Sequence, residues 1–153
     1  MGDSTPTEDF NPAFWPWGTA AEQPRFLHTM IRVRDVDRTL RFYVGGLGMK
    51  LLDRYDFERG RFSLLYLAFD GYAGGGALEL TYNWDTQEDY SHGSGYGHIA
   101  IGAPDLHEVV KRLESVGAQV TVQPKKMAPG APHIAMVKDP DGYTIELIQT
   151  RRQ

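Results

Sequence analysis

The feature that most constrains this chain is that its sequence repeats one module twice. Phe26-Leu27-His28-Thr29-Met30-Ile31-Arg32-Val33 and Gly97-His98-Ile99-Ala100-Ile101 are both strand-like runs entered through a histidine. An aspartate follows each histidine at the same interval, Asp35 in one copy and Asp105 in the other, and each opens a helix-like segment. Each segment runs into a glycine-bearing turn and further hydrophobic strands. Each half closes on a strand with a glutamate inside it, Glu79 in Ala-Leu-Glu-Leu-Thr-Tyr and Glu146 in Tyr-Thr-Ile-Glu-Leu-Ile. A repeat of this kind predicts two copies of one β-α-β-β-β unit, an α+β fold of curved mixed sheets with histidine and glutamate at matching places.

The pattern along the chain fills in the elements. Residues 1–25 are polar and carry Pro6, Pro12, Pro16 and Pro24, so no regular element is expected there. Phe10, Phe14, Trp15 and Trp17 favour an arm docked on the body or on a partner subunit. Strands are expected over residues 26–33, 49–55, 62–69, 78–83, 97–102, 119–122, 134–138 and 143–149. The first helix is read from Leu40, Tyr43 and Val44, stopped by Gly45, Gly46 and Gly48. The second is read from Leu106, Val109, Val110, Leu113 and Val116, with Asp105 and Glu108 at capping-box spacing and Gly117 as its stop. Residues 84–95 read as a linker. Gln123 to Pro132, with three prolines, Gly130 and the pair Lys125-Lys126, reads as a lid or a plain loop. The organisation expected is an arm over 1–25, a first module with its linker over 26–92 and a second module over 93–153.

Composition narrows the chemistry. The 153 residues are 41% hydrophobic and 24% charged, with a net charge of −4 and interspersed signs. There is no basic footprint for nucleic acid and no apolar run of the ~20 residues that span a bilayer. The sequence shows no secretory leader pattern, and the absence of cysteine excludes disulfides and thiolate chemistry. A cytoplasmic protein fits this profile.

His28, Glu79, His98 and Glu146 are the candidate constellation. Alternation puts Glu79 on one strand face with Ala77, Thr81 and Asn83, and Glu146 with Thr144 and Ile148. A glutamate facing an apolar core is costly unless it is paired or bound to a metal. Taken singly, any of the four reads as well as an ordinary solvated side chain. Their recurrence at equivalent repeat positions weakens that reading. Two imidazoles and two carboxylates form a mixed N/O donor set, suited to Zn, Ni, Co, Mn or Fe. His92, His107 and His133 lie in loops or a helix's first turn and read as incidental.

These residues carry a resemblance to glyoxalase I, within the βαβββ metalloenzymes of the vicinal oxygen chelate superfamily. It spans roughly residues 26–150. Its strongest parts are His28-Thr-Met-Ile-Arg-Val, Phe42-Tyr43 with Leu47-Gly48-Met49, Leu78-Glu-Leu-Thr-Tyr-Asn83, Gly97-His-Ile-Ala, and Asp139-Pro-Asp-Gly-Tyr143 with Ile145-Glu146. The resemblance implies that His28, Glu79, His98 and Glu146 hold one divalent metal. It also implies a homodimer in which the first-module ligands come from one chain and the second-module ligands from the other. The implied reaction converts the hemithioacetal of glutathione and methylglyoxal to S-lactoylglutathione, with Glu146 as principal base and Glu79 opposite it. Arg32 and Asn83 are implied contacts for the γ-glutamyl carboxylate, each four residues beyond a ligand, about 13 Å along a strand. Lys125 or Lys126 is a candidate for the glycyl carboxylate. Ser94 stands near where some relatives have an arginine, so that end of the substrate is less defined. His28 in place of a glutamine, and a core without long insertions, resemble the nickel- or cobalt-activated class, whereas the N-terminal arm resembles the zinc class; nickel is the expectation. The same fold also hosts epimerases and non-enzymatic small-molecule-binding proteins. A four-ligand set argues against the latter.

Overall fold

A computed structural model describes residues 24–152; the proposed docking of the N-terminal aromatics lies outside the described residues. The order of elements is β1 (His28–Val33), α1 (Val36–Leu40), β2 (Lys50–Phe57), β3 (Phe62–Ala68), β4 (Ala77–Asn83), β5 (Ile99–Ala103), α2 (Leu106–Ser115), β6 (Gln119–Lys126), β7 (His133–Lys138) and β8 (Thr144–Gln149). Two four-stranded mixed sheets result, ordered β1-β4-β3-β2 and β5-β8-β7-β6. In each sheet the first strand of the module pairs in parallel with the last, and the remaining pairs are antiparallel. The repeat in the sequence is therefore a repeat in topology.

The chain divides into two compact units. One runs through Val36 and resumes over Gly48–Glu88; the other comprises Asp37–Leu47 and Asp89–Gln153. In the first unit the alternate residues Leu65, Leu67, Leu80 and Val33 are fully buried on one sheet face. The polar turn before β3 bends at Arg61, whose φ of 53° is left-handed. The same arginine grips Asp85 with two nitrogens, at 2.5 and 2.7 Å. Trp84 donates to the Ser63 hydroxyl at 2.8 Å, so the start of the expected linker is tied down.

The second unit has a helix-covered sheet. Asp105 caps α2 by accepting from the Glu108 backbone N–H at 3.1 Å, the arrangement its spacing predicts. Leu106, Val110 and Leu113 of α2 are buried, as are Ala135, Val137, Ile145 and Leu147 of β7 and β8. Val109 and Val116 are only partly buried. The other helical segment packs on α2. After α1 it widens into a π-helical turn over Arg41–Gly46, with the Leu47 N–H donating to the Phe42 carbonyl at 3.0 Å. Its buried side is Thr39, Phe42, Tyr43 and Gly46, whereas Val44 is exposed. Of the stripe read from Leu40, Tyr43 and Val44, Tyr43 is buried, Leu40 is half-buried and Val44 is exposed, the last because the wider turn rotates later residues away from a 3.6-residue register. Gly46 permits close approach: a Cβ there would lie 2.6 Å from Leu113 Cδ2.

A second difference is β6. The expected strand over 119–122 continues to Lys126, so Gln123–Lys126 belongs to the sheet and the loop is shorter. Pro124 cannot donate to a ladder. The strand accommodates it through register irregularities between Val120 and Lys125.

Asp139 ties the helical segment to the β7–β8 turn. Its carboxylate accepts the Tyr43 hydroxyl at 2.7 Å and the backbone N–H groups of Asp141 and Tyr143, each at 2.9 Å. Gly142 completes the turn at a φ of 86°. Tyr43→Phe removes one donor from a buried carboxylate, with an expected loss of about 2 kcal/mol, read from urea unfolding. Burial holds the Asp139 carboxyl above the ordinary carboxylate range. The Tyr43 bond works against that rise, so its loss raises the Asp139 pKa further; the deficit is therefore full where Asp139 is ionised in both proteins and shrinks as pH falls from the variant's pKa to the parent's. A deficit that does not change with pH would mean that Tyr43 acts through packing alone.

Candidate metal centre

Strand register assembles the site residues. In the first unit, β1 and β4 pair His28 with Ala77, Met30 with Glu79 and Arg32 with Thr81. Paired residues share a face, so His28, Arg32, Glu79 and Asn83 lie on one side of the sheet, opposite the Leu65/Leu80 face. In the second unit β5 and β8 pair Ala100 with Glu146. His98 precedes β5 by one residue and by alternation belongs to the Glu146 side.

Each histidine meets its own module's glutamate. His28 Nε2 lies 2.8 Å from Glu79 Oε2, and His98 Nε2 lies 2.9 Å from Glu146 Oε2. The carboxylates are the deeper members: side-chain exposure is 12% for Glu79 and 19% for Glu146, against 32% and 46% for the imidazoles. Two donors each about 2.1 Å from one cation at a right angle stand roughly 3 Å apart. Both pairs have the chemistry and the spacing of adjacent ligands on one divalent ion. Among the described residues, no group of three or more His, Cys, Asp or Glu is close enough together to hold a metal. The structure thus brings together the four predicted residues as two pairs, one in each unit.

Glu79 has a further neighbour that sequence reading missed. Tyr66, paired with Glu79 across β3–β4, hydrogen-bonds its carboxylate and sets its ring edge-on to His28 with centroids 5.9 Å apart. Burial, reinforced by the Glu79 charge, raises the Tyr66 phenol well above its usual value, so it stays a donor. Tyr66 is in turn held by Tyr55 and Tyr72 at 6.2 and 6.1 Å, and the Tyr72 hydroxyl donates to Asp53. Only the cross-strand register distinguishes Tyr66 from other strand aromatics.

The two lysines separate. Lys125 pairs with Ile134, which pairs with Ile148 on the Glu146 face. Lys126 pairs with His133 on the opposite face, where both line a surface pocket with Arg151. Of the incidental histidines, His92 stacks on Tyr143 at 4.1 Å with ring planes 10° apart, a packing role.

A fold of paired βαβββ sheets with a histidine–carboxylate pair in each defines a class. The chain belongs to the glyoxalase/bleomycin resistance protein/dioxygenase superfamily, whose family model matches residues 25–147, and this family implies a divalent metal site. Within it, the chain is 43% identical over 128 residues to a probable lactoylglutathione lyase of Vibrio cholerae, covering 84% of this chain and 92% of that one. It is 45% identical over 127 residues to a lactoylglutathione lyase of Neisseria meningitidis, covering 83% and 91%. Among solved structures, glyoxalase I from Zea mays superposes with a TM-score of 0.79 at 37% identity; 84% of this chain is covered, but the chain spans about half of that protein (46%). The trypanothione-dependent glyoxalase I of Leishmania major gives a TM-score of 0.72 at 39% identity, covering 83% and 87%.

Proposed function

We propose that the chain is a metal-dependent lactoylglutathione lyase, which isomerises the glutathione–methylglyoxal hemithioacetal to S-lactoylglutathione. The observation that carries this reading is the His–Glu contact repeated at equivalent places in both units. Each unit presents two of four ligands, so a complete set needs a first unit and a second unit together. We place these in opposite subunits of a homodimer. His28, Glu79, His98 and Glu146 would hold one divalent cation, assigned as nickel or cobalt on the strength of His28. When bound, that ion supplies positive charge to offset the developing enediolate oxygens.

The rest of the chemistry belongs to side chains. Glu146 takes the proton from the carbon bearing sulfur, leaving the electron pair in the enediolate. It then returns the proton to the neighbouring carbon, while the hydroxyl proton on the sulfur-bearing carbon's oxygen passes to the neighbouring oxygen, so the hemithioacetal becomes a 2-hydroxy thioester with no net gain or loss of atoms. Glu79 flanks the same carbon pair. Arg32 and Asn83, on the Glu79 face near the far ends of β1 and β4, suit the γ-glutamyl carboxylate. Lys125, on the Glu146 face, suits the glycyl carboxylate better than Lys126 does. A glutathione-derived substrate fits a cytoplasmic location, where glutathione keeps thiols reduced.

The direct test is thioester absorbance from methylglyoxal and glutathione after reconstitution with Ni²⁺, Co²⁺ or Zn²⁺. Product should form with nickel or cobalt and cease on chelation. No thioester with any metal or thiol would sink the reading.

Subunit sharing has its own test. His28→Ala and Glu146→Gln homodimers should each be inactive. Mixing them should restore part of the activity, because a heterodimer carries one intact site. No recovery, with exchange of subunits verified, would count against a site shared between subunits.

Glu146→Gln keeps size and an oxygen donor but cannot accept the proton. Fully metallated, it should lose about 10²–10⁴-fold in turnover or more, with a smaller loss of metal affinity. Turnover near the parent rate would make Glu146 a ligand only.

A further inference from the structure

The internal repeat offers a controlled comparison of the two glutamates. Glu79 and Glu146 occupy the same ladder position in equivalent sheets and each touches its module's histidine. They differ in the residue directly across the antiparallel ladder. Opposite Glu79 stands Tyr66; opposite Glu146 stands Met136. Tyr66 is buried, hydrogen-bonds Glu79 and abuts His28, and is itself wedged between Tyr55 and Tyr72. A thioether has no hydrogen to donate. Met136 therefore offers Glu146 no bond of that kind.

We infer that Tyr66 is a positioning residue that decides which carboxylate stays and which moves: its hydroxyl pins Glu79 beside His28 as a fixed ligand and leaves Glu146, faced by Met136, as the mobile base. The inference rests on the isomerase reading above. A carboxylate that swings toward a substrate carbon has to abandon whatever holds it. Glu79 would give up a charge-assisted hydrogen bond from a phenol that has nowhere to follow, because its ring is held on three sides by His28, Tyr55 and Tyr72. Glu146 gives up nothing to Met136. The pair exposures run the same way, with Glu146 and His98 more open than Glu79 and His28. The inequality of the two bases thus comes from one cross-strand neighbour, within a symmetric set of ligands.

The test uses Tyr66→Phe, which removes the hydroxyl and keeps the ring. Competition with a chelator should show metal affinity weakened roughly 10- to 100-fold, the usual cost of taking a hydrogen-bond partner from a metal ligand. In the Glu146→Gln background, at saturating metal, adding Tyr66→Phe should instead raise the residual turnover, by roughly tenfold, because a released Glu79 can take up the proton. A role in packing alone does not produce opposite signs in the two measurements. The converse variant, Met136→Gln, sets an amide donor against Glu146 and should lower turnover while metal affinity holds or improves. It carries the test by itself if Tyr66→Phe fails to fold, as read from thermal unfolding. Unchanged metal affinity in Tyr66→Phe, no gain in the double variant, or unaltered turnover in Met136→Gln each overturns the inference. If the parent makes no thioester with any metal, the isomerase reading falls, while the chelator measurement still decides whether Tyr66 secures Glu79.

Discussion

A carboxylate in the middle of a β-strand and almost wholly out of water is the constraint on which the site depends. Glu79 is 9% exposed, between Leu78 and Leu80, which are buried on the other face. A group so placed is tolerable only where donors or a cation compensate it. His28 and Tyr66 supply the donors from the neighbouring strands, on either side of β4. The sheet order β1-β4-β3-β2 makes this possible, because the module's last strand sits between its first and its third. The same order in the second sheet brings His98 beside Glu146. The site is thus a property of the parallel β1–β4 and β5–β8 pairings, and a one-residue slip in either would send its glutamate to the opposite face.

The second unit shows how that register is held. Asp139 accepts from the Tyr43 hydroxyl and from two backbone N–H groups of the β7–β8 turn, which fixes where β8 begins. Tyr96 donates to the Thr144 carbonyl at 2.9 Å, just ahead of Glu146. The His92 ring lies flat on Tyr143 at the same turn. Burial and hydrogen bonds spent at residues 139–144 set the position of Glu146, a few residues along the same strand.

The fold class was legible, and so were the four residues that form the two His–Glu contacts, because both depend on period and repetition. Strand alternation assigns faces, and two copies of a pattern make a coincidence less plausible than any single histidine does. What was not legible depends on contacts made after folding. A proline and two lysines read as a loop, yet β6 continues through Pro124 with a distorted ladder. The π-helical turn that exposes Val44 leaves no trace in a 3.6-residue pattern. The choice between Lys125 and Lys126 turns on a one-residue register that only the pairing with Ile134 and His133 defines. Nothing in the sequence sets Tyr66 apart from the other strand aromatics; its place opposite Glu79 follows from the β3–β4 register alone.

Duplication supplies symmetry, and a proton shuttle needs that symmetry broken. On the proposed reading, in which two copies of a His–Glu pair hold one metal, the ligands are equal and so, by default, are the two bases. Metal binding favours equality, since each donor shares the charge. Moving a proton between adjacent carbons favours inequality, because the group that moves has to be held less firmly than the group that stays. Changing the carboxylates themselves would sacrifice the proposed ligand set. A substitution one strand away does not, because it alters what a glutamate must relinquish in order to move while leaving its reach to the ion intact. Tyrosine at 66 and methionine at 136 differ in that single respect, a donor present or absent at the same point of the ladder.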